Sequence, residues 1–172
     1  MRLQGLVNRA HDPKWAFDPA SGDGAALHGG RFNRPRRAAL YTSLDQQGAW
    51  TEAQQGFPFK AQPVAICTYE VDCENVEDLR DPDTCATLGV SAADLSCPWE
   101  DLANTGATPP SWNIADRLIS CGVSGVIVPS YAPGAVSGMA NVVFWTWGDA
   151  PPHQVRVVDD LGRLPRDRSS WR

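Results

Sequence analysis

The apolar residues of this chain fall into short runs dense in β-forming types, and that pattern limits the fold more than any other feature. LQGLVNR at 3–9 reads as an opening strand, and AALYTS at 38–43 as a strand leading into a turn. PVAICTYEV at 63–71, GVIVP at 125–129, NVVFWTW at 141–147 and QVRVV at 154–158 read the same way. A clear helical period appears over Trp112–Cys121, where Ile114, Leu118 and Cys121 share a face. Ser111 is the expected N-cap of that helix and Gly122 its C-terminal cap. Leu44–Gln54 reads as a short helix weakened by Gly48, with shorter ones near Ala92–Leu95 and Trp99–Ala103. Strands and helices do not alternate as a doubly wound sheet requires. The expected fold class is α+β: a single compact, β-rich domain with few short helices.

Two stretches resist this reading. Residues 11–37 are irregular and rich in Gly, Asp, Pro and Arg, and a loop of that length in a small domain is usually functional or mobile. Residues 72–110 are mixed and stop at Pro109-Pro110. The polar residues after Asp159 suggest a division into a domain over 1–160 and a tail over 161–172. The whole chain, at 172 residues, fits one domain. Its hydrophobic share of 42% is enough for a core without metals or disulfides. The seven tryptophans read mainly as core.

Composition narrows the function. A net charge of −5 argues against general nucleic-acid binding. The five cysteines form no CxxC and the three histidines no HxxxH, so no metal site is expected. Free thiols in a reducing cytoplasm follow. No run of apolar residues is long enough to span a membrane, and the first residues lack a signal-peptide core; a cytoplasmic protein is expected. Familiar catalytic signatures are missing: no P-loop, no GxGxxG opening a helix, and at Gly122-Val123-Ser124-Gly125 only a near miss to GxSxG.

Four constellations remain. His28-Gly29-Gly30-Arg31-Phe32-Asn33 pairs glycines, which let a backbone approach a ligand, with an Arg that can fork onto a phosphate. By themselves these six residues read more simply as a turn with a surface Arg. Glu52 stands alone on its helix, while the other four Glu lie at 70, 74, 77 and 100; a lone helix carboxylate is ordinarily solvated. Val128-Pro129-Ser130-Tyr131 ends a buried strand in a hydroxyl, which suits a site residue and a plain turn equally. Arg31, Arg34, Arg36 and Arg37 form a basic run that a solvated loop explains.

Taken in order, these pieces resemble the RES domain, a family named for its Arg, Glu and Ser. The resemblance rests on Arg9, AALHGGRFN at 25–33, Tyr41-Thr42, Glu52, Pro129-Ser130 and Asn141. The runs PSWNIADRLISCGVSGVIVPS at 110–130 and NVVFWTWGDAPPHQVRVVDDLGRLP at 141–165 look like the branch that includes ParT-type toxins. Two departures leave the Arg, Glu and Ser untouched. Phe32 stands where Trp is usual, and Arg34-Pro35-Arg36-Arg37 replaces a Pro-Gly turn.

The resemblance implies a fold similar to ADP-ribosyltransferases, with NAD bound as substrate in a cleft. It implies a toxin of a type II toxin–antitoxin system that transfers ADP-ribose to a host protein. It also implies a cognate antitoxin, Xre-like or ParS-like, that covers the active site. The residues carried over as catalytic are Glu52, Arg31, Tyr41 and Ser130. Those expected to contact NAD are Arg9, Gly29, Gly30, Arg31, Asn33, Tyr41, Ser130 and Asn141.

The chemistry of NAD suits this set. An O-glycosidase needs an acid for its leaving group and a second carboxylate opposite. Nicotinamide leaves NAD as a neutral molecule from a pyridinium, so one carboxylate suffices. Glu52 would stabilise the developing ribose cation, Arg31 would clamp the pyrophosphate, and Arg9 would add a second cation or a ribose contact. Tyr41 would stack on nicotinamide or orient the ribose. Ser130 would position the nicotinamide amide or hold Glu52. Asn33 and Asn141 would act as structural groups around them. Competing expectations are an NAD glycohydrolase or phosphorylase, a non-catalytic nucleotide- or protein-binding module, and an RNA-directed toxin resting on the basic run.

Overall fold

The computed structural model describes residues 1–54 and 63–169. The strands are β1 (Leu3–His11), β2 (Leu40–Ser43), β3 (Ala65–Cys73), β4 (Val76–Asp78), β5 (Gly125–Pro129), β6 (Ala140–Phe144) and β7 (His153–Val157). They form one sheet in the order β4-β5-β6-β2-β1-β3-β7. Every neighbouring pair is antiparallel except β4–β5. The helices are α1 (Asp23–His28), α2 (Gln46–Gln54), α3 (Pro82–Leu88), α4 (Ala92–Leu95), α5 (Trp99–Asn104) and α6 (Pro110–Ser120). This is the β-rich α+β domain the pattern predicts.

The alternation of side chains divides the core. On one face Val7, Leu40, Tyr69, Ile127, Val142 and Phe144 pack together. On the other, Val126, Val128, Val143 and Trp145 meet Ile114, Ala115 and Leu118 of α6 and Leu95 of α4. β5 and the Val142–Phe144 part of β6 contribute to both faces, which is why these stretches read as apolar runs. The last segment also has an anchor, since Leu164 packs against the first cluster; residues 170–172 lie outside the described residues.

Several details differ from the sequence reading. The stretch 11–37 contains a 3-10 turn over Pro13–Trp15 and all of α1. β4 and α3 fall in the stretch that read as mixed. Asp81 caps α3 by accepting from Thr84 N, and Gly89 closes it in a left-handed conformation. α6 starts one residue before its expected cap, so Ser111 is not an N-cap. It lies fully buried inside the helix, where its Oγ accepts a weak bond from Cys97 Sγ. Gly122 does follow the helix end at φ +82°. β6 ends at Phe144, short of Trp147.

The tryptophans are less uniformly core than expected. Trp112 and Trp145 are buried, Trp50, Trp99 and Trp147 are half-buried, and Trp15 is exposed. The near-miss serine, Ser124, is also buried and lies 3.1 Å from His153 Nδ1. All five cysteines are free. Among the described residues no helix is long and apolar enough to cross a membrane.

Candidate active site

The sheet register lines up a row of polar residues. Thr68 on β3 pairs with Asn8 on β1, Asn8 with Ser43 on β2, and Ser43 with Asn141 on β6. Thr68 Oγ1 donates to Asn8 Oδ1 at 2.9 Å, and Ser43 Oγ donates to Asn141 Oδ1 at 2.7 Å. With its oxygen occupied, the Asn141 amide turns its nitrogen outward and donates to Glu52 Oε1 at 2.5 Å. Ser130 Oγ, just past the end of β5, donates to the same oxygen at 2.6 Å. Hydrogen bonds to a charged acceptor are the stronger kind, so one carboxylate oxygen is gripped from two strands.

α2 brings Glu52 to that place. Asp45 Oδ1 accepts from Gly48 N at 2.7 Å and starts the helix as an N-cap does. Gly48, which weakens the helix by propensity, is what lets it approach β2: a Cβ there would lie 3.2 Å from Ser43 Cβ. Packing decides this helix over intrinsic preference.

Glu52 lines a cavity of about 350 Å3 together with Arg9, Gly29, Gly30, Arg31, Tyr41 and Asn141. Residues more than a hundred positions apart thus share one wall. Ser130 reaches the site through its bond to Glu52. A smaller cavity of about 280 Å3 is also lined by Glu52, Arg9, Tyr41 and Asn141. Arg31 Nη1 donates to the carbonyls of Cys97, at 2.5 Å, and Leu95, at 3.3 Å. Its guanidinium carbon sits 4.7 Å from the centre of the Tyr131 ring. Arg9 Nη1 donates to Pro19 O at 3.0 Å and Ser21 O at 2.8 Å. Both cations are therefore held by backbone carbonyls.

The 28–33 segment is pinned from inside. Tyr41 donates to Asn33 Oδ1 at 2.7 Å and accepts from Phe32 N at 2.9 Å. Burial pushes the Tyr41 phenol well above its usual pKa, against the opposing effects of the Phe32 amide and the Arg31 charge. Asn33 Nδ2 donates to the carbonyls of Ala25, Arg34 and Arg37. Asn33 is 1% exposed and its amide is engaged in holding the loop, so it does not join the cavity wall. Two indoles complete the scaffold: Trp112 Nε1 donates to Gly30 O at 2.7 Å and Trp145 Nε1 to Phe32 O at 2.8 Å.

The paired glycines serve this arrangement separately. Gly29 takes φ +75°, a region that favours glycine. A Cβ on Gly30 would fall 2.5 Å from the Tyr41 oxygen. The basic run divides as well. Arg31 faces the cavity, whereas Arg34 pairs with Asp116 at 2.6 Å and lies over Trp112 on α6. Arg36 and Arg37 are exposed.

Trp99 and Tyr131 also line the cavity and were not among the site residues expected from the sequence. Tyr131 had a signal, since it follows Pro129-Ser130 directly. Trp99 had none, because its α5 reaches the cavity only through tertiary packing. Burial raises the Tyr131 phenol and the nearby Arg31 charge opposes that rise. Among the described residues no group of acidic, His and Cys side chains is placed to hold a metal ion.

No curated protein sequence matches this chain. Among solved structures it is similar to one described as the crystal structure of the M. tuberculosis MbcT–MbcA toxin–antitoxin complex. The TM-score is 0.57 at 19% identity, covering 92% of this chain and 84% of that one. At that identity the likeness speaks to the fold alone. The family model described as the RES domain matches residues 6–167, nearly the whole chain and all the cavity residues named above, and the chain belongs to the RES-domain family.

Proposed function

We propose that this RES-domain protein is the toxin of a toxin–antitoxin pair and that it cleaves NAD, transferring ADP-ribose to a protein acceptor. The observation that carries this reading is the Glu52 carboxylate, held by Ser130 and Asn141 in the wall of a cavity that Arg9 and Arg31 also line. Among the described residues lining that cavity, Glu52 is the one carboxylate. A lone carboxylate fits poorly with O-glycoside hydrolysis, which takes two. It fits a pyridinium leaving group, which needs no proton.

In the step proposed, the bond between ribose C1′ and the pyridinium nitrogen breaks and its electron pair goes to nicotinamide. Positive charge develops on the ribose. Glu52 stabilises that charge, and because Ser130 and Asn141 already orient the carboxylate, little reorganisation is needed as it appears. Arg31 and Arg9, held by carbonyls, offer fixed cations for the pyrophosphate. A nucleophile of the acceptor bonds to C1′ and loses its proton to solvent. Tyr41 acts through the loop it holds, since its hydroxyl is engaged with Phe32 and Asn33. The antitoxin is proposed as a protein that covers the cavity, a reading supported by the family and by the toxin–antitoxin complex whose fold this chain shares.

The test is nicotinamide release from labelled NAD by purified, antitoxin-free protein, with and without host lysate. Glu52→Gln should retain the fold and lose on the order of a hundredfold to a thousandfold in rate. Label on a lysate protein supports transfer. Label only in free ADP-ribose discards transfer in favour of hydrolysis, and no release from folded protein overturns the enzymatic reading.

A further inference from the structure

Beside the catalytic cavity lies another, of about 500 Å3, that the proposed step does not use. The two share Arg9 and Gly24 in their walls. Trp15 and Phe17 form part of the second, with ring centres 6.2 Å apart and planes at 39°. Trp15 is 42% exposed. His11 lines the same cavity, with both ring nitrogens buried and without a hydrogen-bond partner. Asp18 and Asp23 add acceptors. Arg168, from the C-terminal segment, lays its guanidinium carbon 4.1 Å from the centre of the Trp15 ring and 5.3 Å from that of Phe17.

We infer that this cavity is the seat of the purine base of the dinucleotide, stacked on Trp15 and Phe17, and that Arg168 occupies the place of the base until the base displaces it. The inference rests on NAD as the substrate. NAD carries two planar rings joined by a pyrophosphate, and a cavity of 350 Å3 is at the small end for ligand sites. It takes the nicotinamide riboside half. The rest of the molecule must leave past a shared wall, and Arg9 stands at that border as a cation suited to phosphate. Beyond it the aromatic pair offers a stacking surface, and bases stack on aromatic side chains whatever their sequence. A guanidinium is a planar cation that stacks in the same manner, so the position of Arg168 marks the face that a base would use. The unpartnered imidazole of His11 and the two carboxylates suit a ring that bears both an amino group and ring nitrogens.

Adenosine monophosphate tests the site without requiring turnover. Its binding is measured by calorimetry to the full chain and to Trp15→Ala, Trp15→Phe and Arg168→Ala. Trp15→Ala should weaken binding by roughly five- to a hundredfold, the range that base–aromatic stacking carries. Trp15→Phe should keep most of the affinity, which separates stacking from damage to the fold. Arg168→Ala should tighten binding. For NAD cleavage, Trp15→Ala should raise KM with kcat nearly unchanged. Binding unaffected by Trp15→Ala, binding weakened by Arg168→Ala, or no binding to the unaltered chain overturns the inference. If adenosine monophosphate binds in this Trp15-dependent way while NAD is not cleaved, the proposed reaction fails and the purine site stands.

Discussion

Ser130 Oγ donates a 2.6 Å hydrogen bond to Glu52 Oε1 across 78 residues of chain, tying the end of β5, next to one edge of the sheet, to a helix packed against the middle strands β1 and β2. Asn141 makes the matching bond from the neighbouring strand. The carboxylate is therefore aimed by the sheet, while α2 supplies its position.

Ser130 acts through Glu52 as a positioning residue. Removing a hydrogen bond to a charged group costs about 1.5–3 kcal/mol. Ser130→Ala should accordingly lower kcat for NAD cleavage by roughly tenfold to a hundredfold and change KM little. Ser130→Thr, which keeps the hydroxyl, should recover most of the rate. A KM effect without a kcat effect, or no recovery with Thr, would place Ser130 in substrate binding or in the fold alone.

Gly30→Ala probes the pinned loop. The added Cβ would meet the Tyr41 oxygen at 2.5 Å and Asn33 Oδ1 at 2.8 Å. The phenol cannot swing aside cheaply, because it bonds both Asn33 and the Phe32 amide. Overpacking of this kind costs about 1–3 kcal/mol, or roughly 2–12 °C in thermal midpoint for a chain of this size. Tyr41→Phe in the same chain should relieve part of the loss, so the two changes will not add. Calorimetric melting of the two single variants and the double variant measures the coupling; purely additive losses would mean the clash is absent.

His11 should make stability depend on acid. Its buried imidazole has a lowered pKa, first from desolvation and then from the Arg9 charge. The folded state therefore takes up a proton less readily than the unfolded chain, whose imidazole titrates near about 6.5. Stability is full above that value and is lost as pH falls through it toward the folded pKa. Melting temperature should drop between pH 7.5 and pH 5.5, and His11→Gln should flatten part of that slope. An unchanged slope in the variant would assign the acid sensitivity to other groups.

The sequence by itself determined every described strand except β4, because β5 and most of β6 are apolar and β1, β2, β3 and β7 carry enough β-branched, aromatic or aliphatic residues to be read locally; β4, with Val76 between polar neighbours, is decided by its pairing with β5. The sequence also held the end signals of α3, Asp81-Pro82 at the start and Gly89 at the stop, although these were lost in a stretch that read as mixed. Arg9, Arg31, Tyr41, Glu52, Ser130 and Asn141 were legible as a set through family resemblance, since an ordered spacing survives when no single motif is specific. Their roles were legible only as alternatives, with Ser130 read as positioning nicotinamide or holding Glu52 and Asn33 and Asn141 as structural groups of no stated partner. Only the register that aligns Thr68, Asn8, Ser43 and Asn141 fixes which way the Asn141 amide points, and only packing shows that Asn33 serves the loop and that Gly48 admits α2 to the sheet. Hydrophobic period is written in neighbouring residues, whereas the partner of a polar group lies wherever the chain returns, and that place is decided by tertiary contact.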